Sequence, residues 1–161
     1  MGSYKRHLFG GILFFIPLSF VLALLFDYEG LSNLAFLFQV FILFAITLLF
    51  SLWPDVDIKS RGQLIFYRIF LVVDTVLILT ERLQEAAFLG LFAMLPLIGK
   101  HRGWTHTLWA AILVPSPFLW VPILYTGKLS LSGLAYYLAA VSGYLSHRFI
   151  DGIFFRIGGG R

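Results

Sequence analysis

The chain has 161 residues, of which 60% are hydrophobic, 12% charged and none cysteine; its net charge is +4 and its mean hydropathy +0.90. Soluble domains are nearer half apolar with about a quarter of their residues charged, so this excess cannot be buried in one small core and an ordinary soluble enzyme is excluded. Disulfides and thiolate-bound metals are excluded with it, and in so apolar a chain a basic balance speaks for membrane headgroups rather than nucleic acid.

The apolar runs are continuous rather than alternating, which predicts an all-α polytopic membrane bundle and not a transmembrane barrel. Six apolar segments follow one another over a single domain, residues 1–161. The first, from about Leu8 to Phe26, comes after Lys5, Arg6 and His7. It lacks a small-residue cleavage site before Asp27 and is expected to be a retained span rather than a signal peptide. The second, Leu31 to Trp53, stops at Pro54-Asp55-Val56-Asp57. The third, about Leu64 to Thr80, carries Arg68 and Asp74, and the fourth, about Ala86 to Gly99, is short. A span needs roughly 20 residues, so these two are expected either to cross or to form a re-entrant or tilted hairpin. His101-Arg102-Gly103-Trp104-Thr105-His106 leads into the fifth, about Thr105 to Tyr125. The sixth, Leu131 to about Ile150, ends on His147-Arg148-Phe149-Ile150-Asp151.

A hairpin that crosses twice and one that never crosses both return to the side where they began. Parity therefore gathers the N-terminus, the loop after Trp53, the loop around His101 and the end of the sixth segment on one side. That side carries Lys5, Arg6, Lys59, Arg61, Lys100, Arg102, Arg148, Arg156 and Arg161, against only Arg82 and Lys128 opposite. The positive-inside rule then predicts cytoplasmic termini and cytoplasmic polar clusters on an inner-membrane protein.

All four histidines lie in these clusters. His147 and Asp151, four apart, share a helix face one turn apart and can grip an ion or simply hydrogen-bond at a helix end. Asp55 and Asp57 repel one another unless a cation or arginine lies between them, or they cap a solvated turn. Gly103 permits a tight turn, Thr105 is expected to N-cap the fifth segment, and the turn lets His101 and His106 converge although they share no helix face. His7 gains weight from lying on the same side. The candidate ligands are thus His7, Asp55, Asp57, His101, His106, His147 and Asp151. Seven exceed the four positions of one tetrahedral zinc, which points to two ions, or to one ion with supporting carboxylates. Imidazole with carboxylate suits zinc, manganese or iron. Arg6, Arg102 and Arg148 neighbour the ligands and would hold phosphate oxygens or meet headgroups. Arg68 is expected in an ion bridge and Asp74 behind the metal site. Trp53, Trp104, Tyr4 and Tyr144 are expected in the interfacial aromatic belt.

The motifs His7, Trp53-Pro54-Asp55-Val56-Asp57, His101 to His106, and Gly143-Tyr144-Leu145-Ser146-His147-Arg148-Phe149-Ile150-Asp151 resemble, in order along nearly the whole chain, those of the YdjM-like family of membrane-bound metal-dependent hydrolases. That family is similar in its His/Asp pattern to zinc-dependent phospholipase C and single-strand nuclease enzymes. The resemblance implies a helical metal site that cleaves phosphoesters. The expected protein is a hydrolase acting on a lipid headgroup at the cytoplasmic leaflet, with zinc as the first choice of metal and two ions. Asp57 is a ligand or the general base, and Arg102 stabilises phosphoryl charge. Its partners are membrane lipids and a lipid or phosphoester substrate, and no nucleic acid. The rival expectations are a non-enzymatic metal-binding or partner-binding membrane protein, with a closed ligand shell, and a metal or proton transporter, which needs ionisable groups deep in several spans.

Overall fold

The computed structural model describes residues 4–26, 32–56, 59–97, 104–128 and 131–152, and these are helical throughout apart from short connections. Seven α-helices follow in order: α1 (Tyr4–Leu25), α2 (Asn33–Leu52), α3 (Arg61–Leu79), α4 (Leu83–Met94), α5 (Leu108–Leu113), α6 (Pro117–Thr126) and α7 (Leu134–Ile150). Three 3-10 turns lie between them: Trp53–Asp55, Leu95–Leu97 and Trp104–His106.

Among the described residues, four segments are long and apolar enough to cross a membrane: Tyr4–Leu25, Asn33–Asp55, Arg61–Leu79 and Leu108–Thr126. Their outward residues include Leu24, Leu37 and Leu79, exposed by 72%, 63% and 78%. In water such faces would form apolar patches far larger than the few hundred Å² that soluble monomers show, so the surrounding solvent is a bilayer. The third sequence segment makes a helix of spanning length, whereas α4 has 12 residues and rises only about 18 Å, short of a hydrocarbon core of about 30 Å. The fifth segment breaks into α5 and α6 around Pro115, because a proline has no N–H to continue the ladder. The sixth is shorter than its apolar run suggests: α7 has 17 residues.

α7 is the central helix rather than a lipid-facing one. It packs against both α1 and α2, which also pack on each other, while the α3–α4 hairpin leans on α2 and α5–α6 lean on α7. Small residues make this possible. Ala135, Ala139, Gly143 and His147 recur every four residues and are all buried, so they form one ridge. At Gly143 the backbone of α2 lies so close that an added Cβ would sit 2.9 Å from the Thr47 carbonyl carbon. The Thr47 hydroxyl donates towards the carbonyls of Leu43 (2.9 Å) and, across the interface, Ala139 (3.2 Å), so this buried polar group is satisfied. On α1, Gly10 and Gly11 do the same service: a Cβ at Gly10 would come within 2.7 Å of Ile150, and one at Gly11 within 3.1 Å of the Ser51 hydroxyl.

Helix ends follow ordinary capping. Ser32 accepts from the Ala35 amide, Ser60 from Gln63 and Thr107 from Ala110. The cap of α5 is therefore Thr107, two residues beyond Thr105. Thr105 is instead buried in the 3-10 turn before it. Trp53 and Tyr144 are likewise no belt residues: both are wholly buried, packed on each other in the core with ring centroids 5.7 Å apart and 39° between planes. Tyr4 is half-buried and Trp104 is exposed at its edge, packed against Trp53 at 5.8 Å.

Candidate metal centre

Four separate elements deliver ligand-type side chains to one end of the bundle. His7 lies in the first turn of α1, on the same face as Gly10 and Gly11, so the close approach of α1 to α7 and α2 presses its imidazole inward. Asp55 ends the 3-10 turn that Pro54 starts after α2. The Gln63 side chain, in the first turn of α3, donates to the Val56 carbonyl at 2.8 Å and fixes that turn. His106 ends the 3-10 turn before α5. His147 and Asp151 come from the last turn and C-cap of α7, as their spacing of four predicts.

The distances are those of a ligand shell. His7 Nε2 lies 3.5 Å from Asp55 Oδ2 and 3.7 Å from Asp151 Oδ1. His147 Nε2 lies 3.7 Å from Asp55 Oδ1 and 3.5 Å from Asp151 Oδ2, and His106 Nε2 lies 3.8 Å from Asp55 Oδ1. Ligand atoms about 2.1 Å from a tetrahedral ion are separated by about 3.4 Å, so these separations leave room for an ion between the side chains. Two overlapping groups meet the geometry for an ion: His7, His147 and Asp151, and Asp55, His106 and His147. The imidazoles of His7 and His147 stack at 4.0 Å with 17° between planes, and those of His106 and His147 lie 5.4 Å apart. Three imidazoles this close are poorly suited to being cationic together, and neutral imidazole is the form that binds metal.

Backbone carbonyls orient the set. His147 Nδ1 is 2.8 Å from the Ser51 carbonyl. A carbonyl only accepts, so Nδ1 carries the proton and the lone pair sits on Nε2, which is buried among the carboxylates with no hydrogen-bond partner among the described residues. This is the arrangement a ligating histidine requires. Tyr144, one turn earlier on α7, donates its hydroxyl to the Thr105 carbonyl, and Arg148 donates to the His106 carbonyl. Together they clamp the turn that bears His106. The side chains of His7, His106 and His147 are 1%, 8% and 0% exposed, whereas Asp55 and Asp151 keep 19% and 14%. The cluster thus shows its carboxylate edge to solvent. The Asp151 carboxyl is held below its ordinary value, first by its polar contact with His147 against the opposing effect of burial, and then by the nearby imidazoles, so it is ionised at neutral pH.

Five of the seven ligands expected from sequence are therefore brought together: His7, Asp55, His106, His147 and Asp151. Asp57, His101 and Arg102 lie outside the described residues. Arg6 is exposed in the first turn of α1. Arg148 is buried and engaged with the His106 carbonyl, which makes it a positioning group. Arg68 is exposed on α3 and joins no ion pair among the described residues. Asp74 is half-buried on α3 and belongs to neither ligand group. Three contributors went unread in the sequence. The Ser51 carbonyl has no side-chain signature. The small-residue ridge leading to His147 and the position of Tyr144 one turn before it were both visible as spacing. Comparison with protein-family models, curated proteins and solved structures finds no match to this chain, so its chemistry is argued from the geometry of this cluster.

Proposed function

We propose that the protein is a metal-dependent hydrolase of the membrane, acting on a phosphoester at the cytoplasmic leaflet, most naturally a lipid headgroup. The observation that supports it is the convergence of three imidazoles, that of His147 oriented by the Ser51 carbonyl, and two partly exposed carboxylates from four distant stretches of chain. The residues fit zinc, and also manganese or iron, because the donors are imidazole nitrogen and carboxylate oxygen.

A divalent cation held there supplies Lewis acidity towards a phosphoryl oxygen and acidifies water towards a pKa of about 7. The rest is the chain's own work. His147, locked by Ser51, offers one lone pair and serves one ion. Asp55 faces His106 and His147 with Oδ1 and His7 with Oδ2, so it would be a carboxylate ligand of a bound cation. Asp151 shares the His7–His147 side. In this reading the sequence candidates His101 and Asp57 would be further ligands, with Asp57 alternatively the general base, and Arg102 would neutralise phosphoryl charge, with Arg6 at the exposed rim. Arg148 is assigned to holding the His106 turn instead. The site's place at the bundle end, among the basic residues of its side, suits an anionic headgroup reached from the inner leaflet.

The test is elemental analysis of purified protein together with hydrolysis of phosphodiester and phosphomonoester lipids. Two ions per chain and turnover are expected, with His106→Ala losing at least one ion and the turnover. No turnover by metal-loaded protein, with unchanged metal content in His106→Ala, would sink the reading.

A further inference from the structure

Away from the metal centre the bundle holds a cavity of about 810 Å³, walled by α2, α3, α4, α6 and α7. Its volume is in the range of about 300–1,000 Å³ typical of small-molecule pockets, but its walls are almost entirely hydrocarbon. Phe50, Phe66, Phe92 and Leu95 line the end nearest the metal centre, while Tyr125, Tyr136 and Glu85 stand at the far end. The space opens to the surroundings of the bundle, where Val73, Phe88 and Leu91 are exposed, and walls of this kind favour hydrocarbon over water.

Its length identifies the filling. Along α3 the lining runs from Phe66 to Leu77, about 16 Å at helical rise. That is about half of a hydrocarbon core of about 30 Å, the depth reached by one chain of one leaflet. Its position ties it to the site. Phe92 lines the cavity and packs on Trp53 at 5.9 Å, Phe50 packs on Phe92 at 6.1 Å, and Trp53 begins the turn that ends in Asp55. Only this aromatic layer separates the inner end of the cavity from the ligand cluster.

We infer that the cavity is the seat of one long hydrocarbon chain, acyl or isoprenoid, belonging to the lipid whose phosphoester is presented to the metal centre. The chain enters beside Phe66 and Leu95 with its free end towards Leu77 and Tyr125. The inference rests on the hydrolase reading for the identity of the headgroup, but seating of the chain is measurable without turnover.

The experiment uses the full chain in bilayers that contain phosphatidylglycerol with a photoactivatable diazirine either next to the ester or at the chain terminus. After illumination the labelled peptides are mapped. The ester-proximal probe is expected to label Phe66, Phe92 or Leu95, and the terminal probe Leu77 or Tyr125. Both should exceed labelling of the outward face of α1, at Ile16 and Phe20, several-fold. Val121→Trp, which fills the cavity from α6, should remove that excess while leaving metal content unchanged. Uniform labelling of all lipid-facing helices, or the two probes exchanging ends, would overturn the inference, and both are read on the unsubstituted protein. Cavity labelling without hydrolysis would leave the seat standing and sink only the hydrolase reading. Hydrolysis with uniform labelling would do the reverse.

Discussion

At the scale of single residues, the proposed metal centre depends on side chains outside the ligand set. Tyr144 is an instance: its ring lies against Trp53, and its hydroxyl holds the Thr105 carbonyl one residue before His106. Tyr144→Phe keeps the packing and removes only that bond. A buried hydrogen bond contributes about 1 kcal/mol net, so the bundle should stay folded. Loss of a group that orients a ligand costs about 10–100-fold in metal affinity. The expected result is a small fall in thermal midpoint with at least a ten-fold weaker metal dissociation constant, measured by competition with a chelator. An unchanged constant would show that the His106 turn is held by Arg148 alone.

At the scale of elements, the site exists because α7 can lie almost on the backbone of α2. Gly143→Ala puts a methyl group 2.9 Å from the Thr47 carbonyl carbon, where backbone rather than a flexible side chain must yield. Overpacking of this kind costs about 1–3 kcal/mol, and sliding α7 outward stretches the 2.8 Å contact between His147 and Ser51. Lower stability and lower metal content are expected together. Gly90→Ala is the control: nothing lies within 4 Å of the added carbon, and the gain in helix propensity, about 1 kcal/mol at most, should leave metal content alone. This element also shows what the sequence could disclose. The four-residue spacing of His147 and Asp151 was readable because helical periodicity alone dictates it. The Asp55 turn was readable from Pro54. The inward pressing of His7 was not, because it follows from how closely Gly10 and Gly11 let α1 approach α7 and α2, a tertiary fact. Nor was the burial of Trp53 and Tyr144: aromatic residues near a polar loop have the composition of an interfacial belt whether or not another helix covers them.

For the whole molecule, the ligand cluster acts as a fastening. α1, the turn after α2, the turn before α5 and the end of α7 converge on this cluster, and apolar helix faces elsewhere gain little from contact with each other over contact with lipid. A bundle with so little hydrophobic drive between helices should therefore draw a large share of its cohesion at this end from bound metal. An ion present at 100 times its dissociation constant adds about 2.7 kcal/mol to the native state. Chelation should lower the thermal midpoint and raise hydrogen exchange in the first turn of α1 and the last turn of α7, with the outer halves of α2 and α3 unaffected. The effect must also depend on pH in a fixed direction. Three imidazoles ligate only when neutral, and free histidine protonates near 6.5, so protons compete with metal as pH falls through that region. Metal-dependent stabilisation is expected to be full near pH 8 and to decline steeply below about 6. The metal-free protein should lack this metal-dependent step. Midpoints recorded with and without chelator across that range separate the two cases; parallel curves would mean that the helices are held together by packing alone.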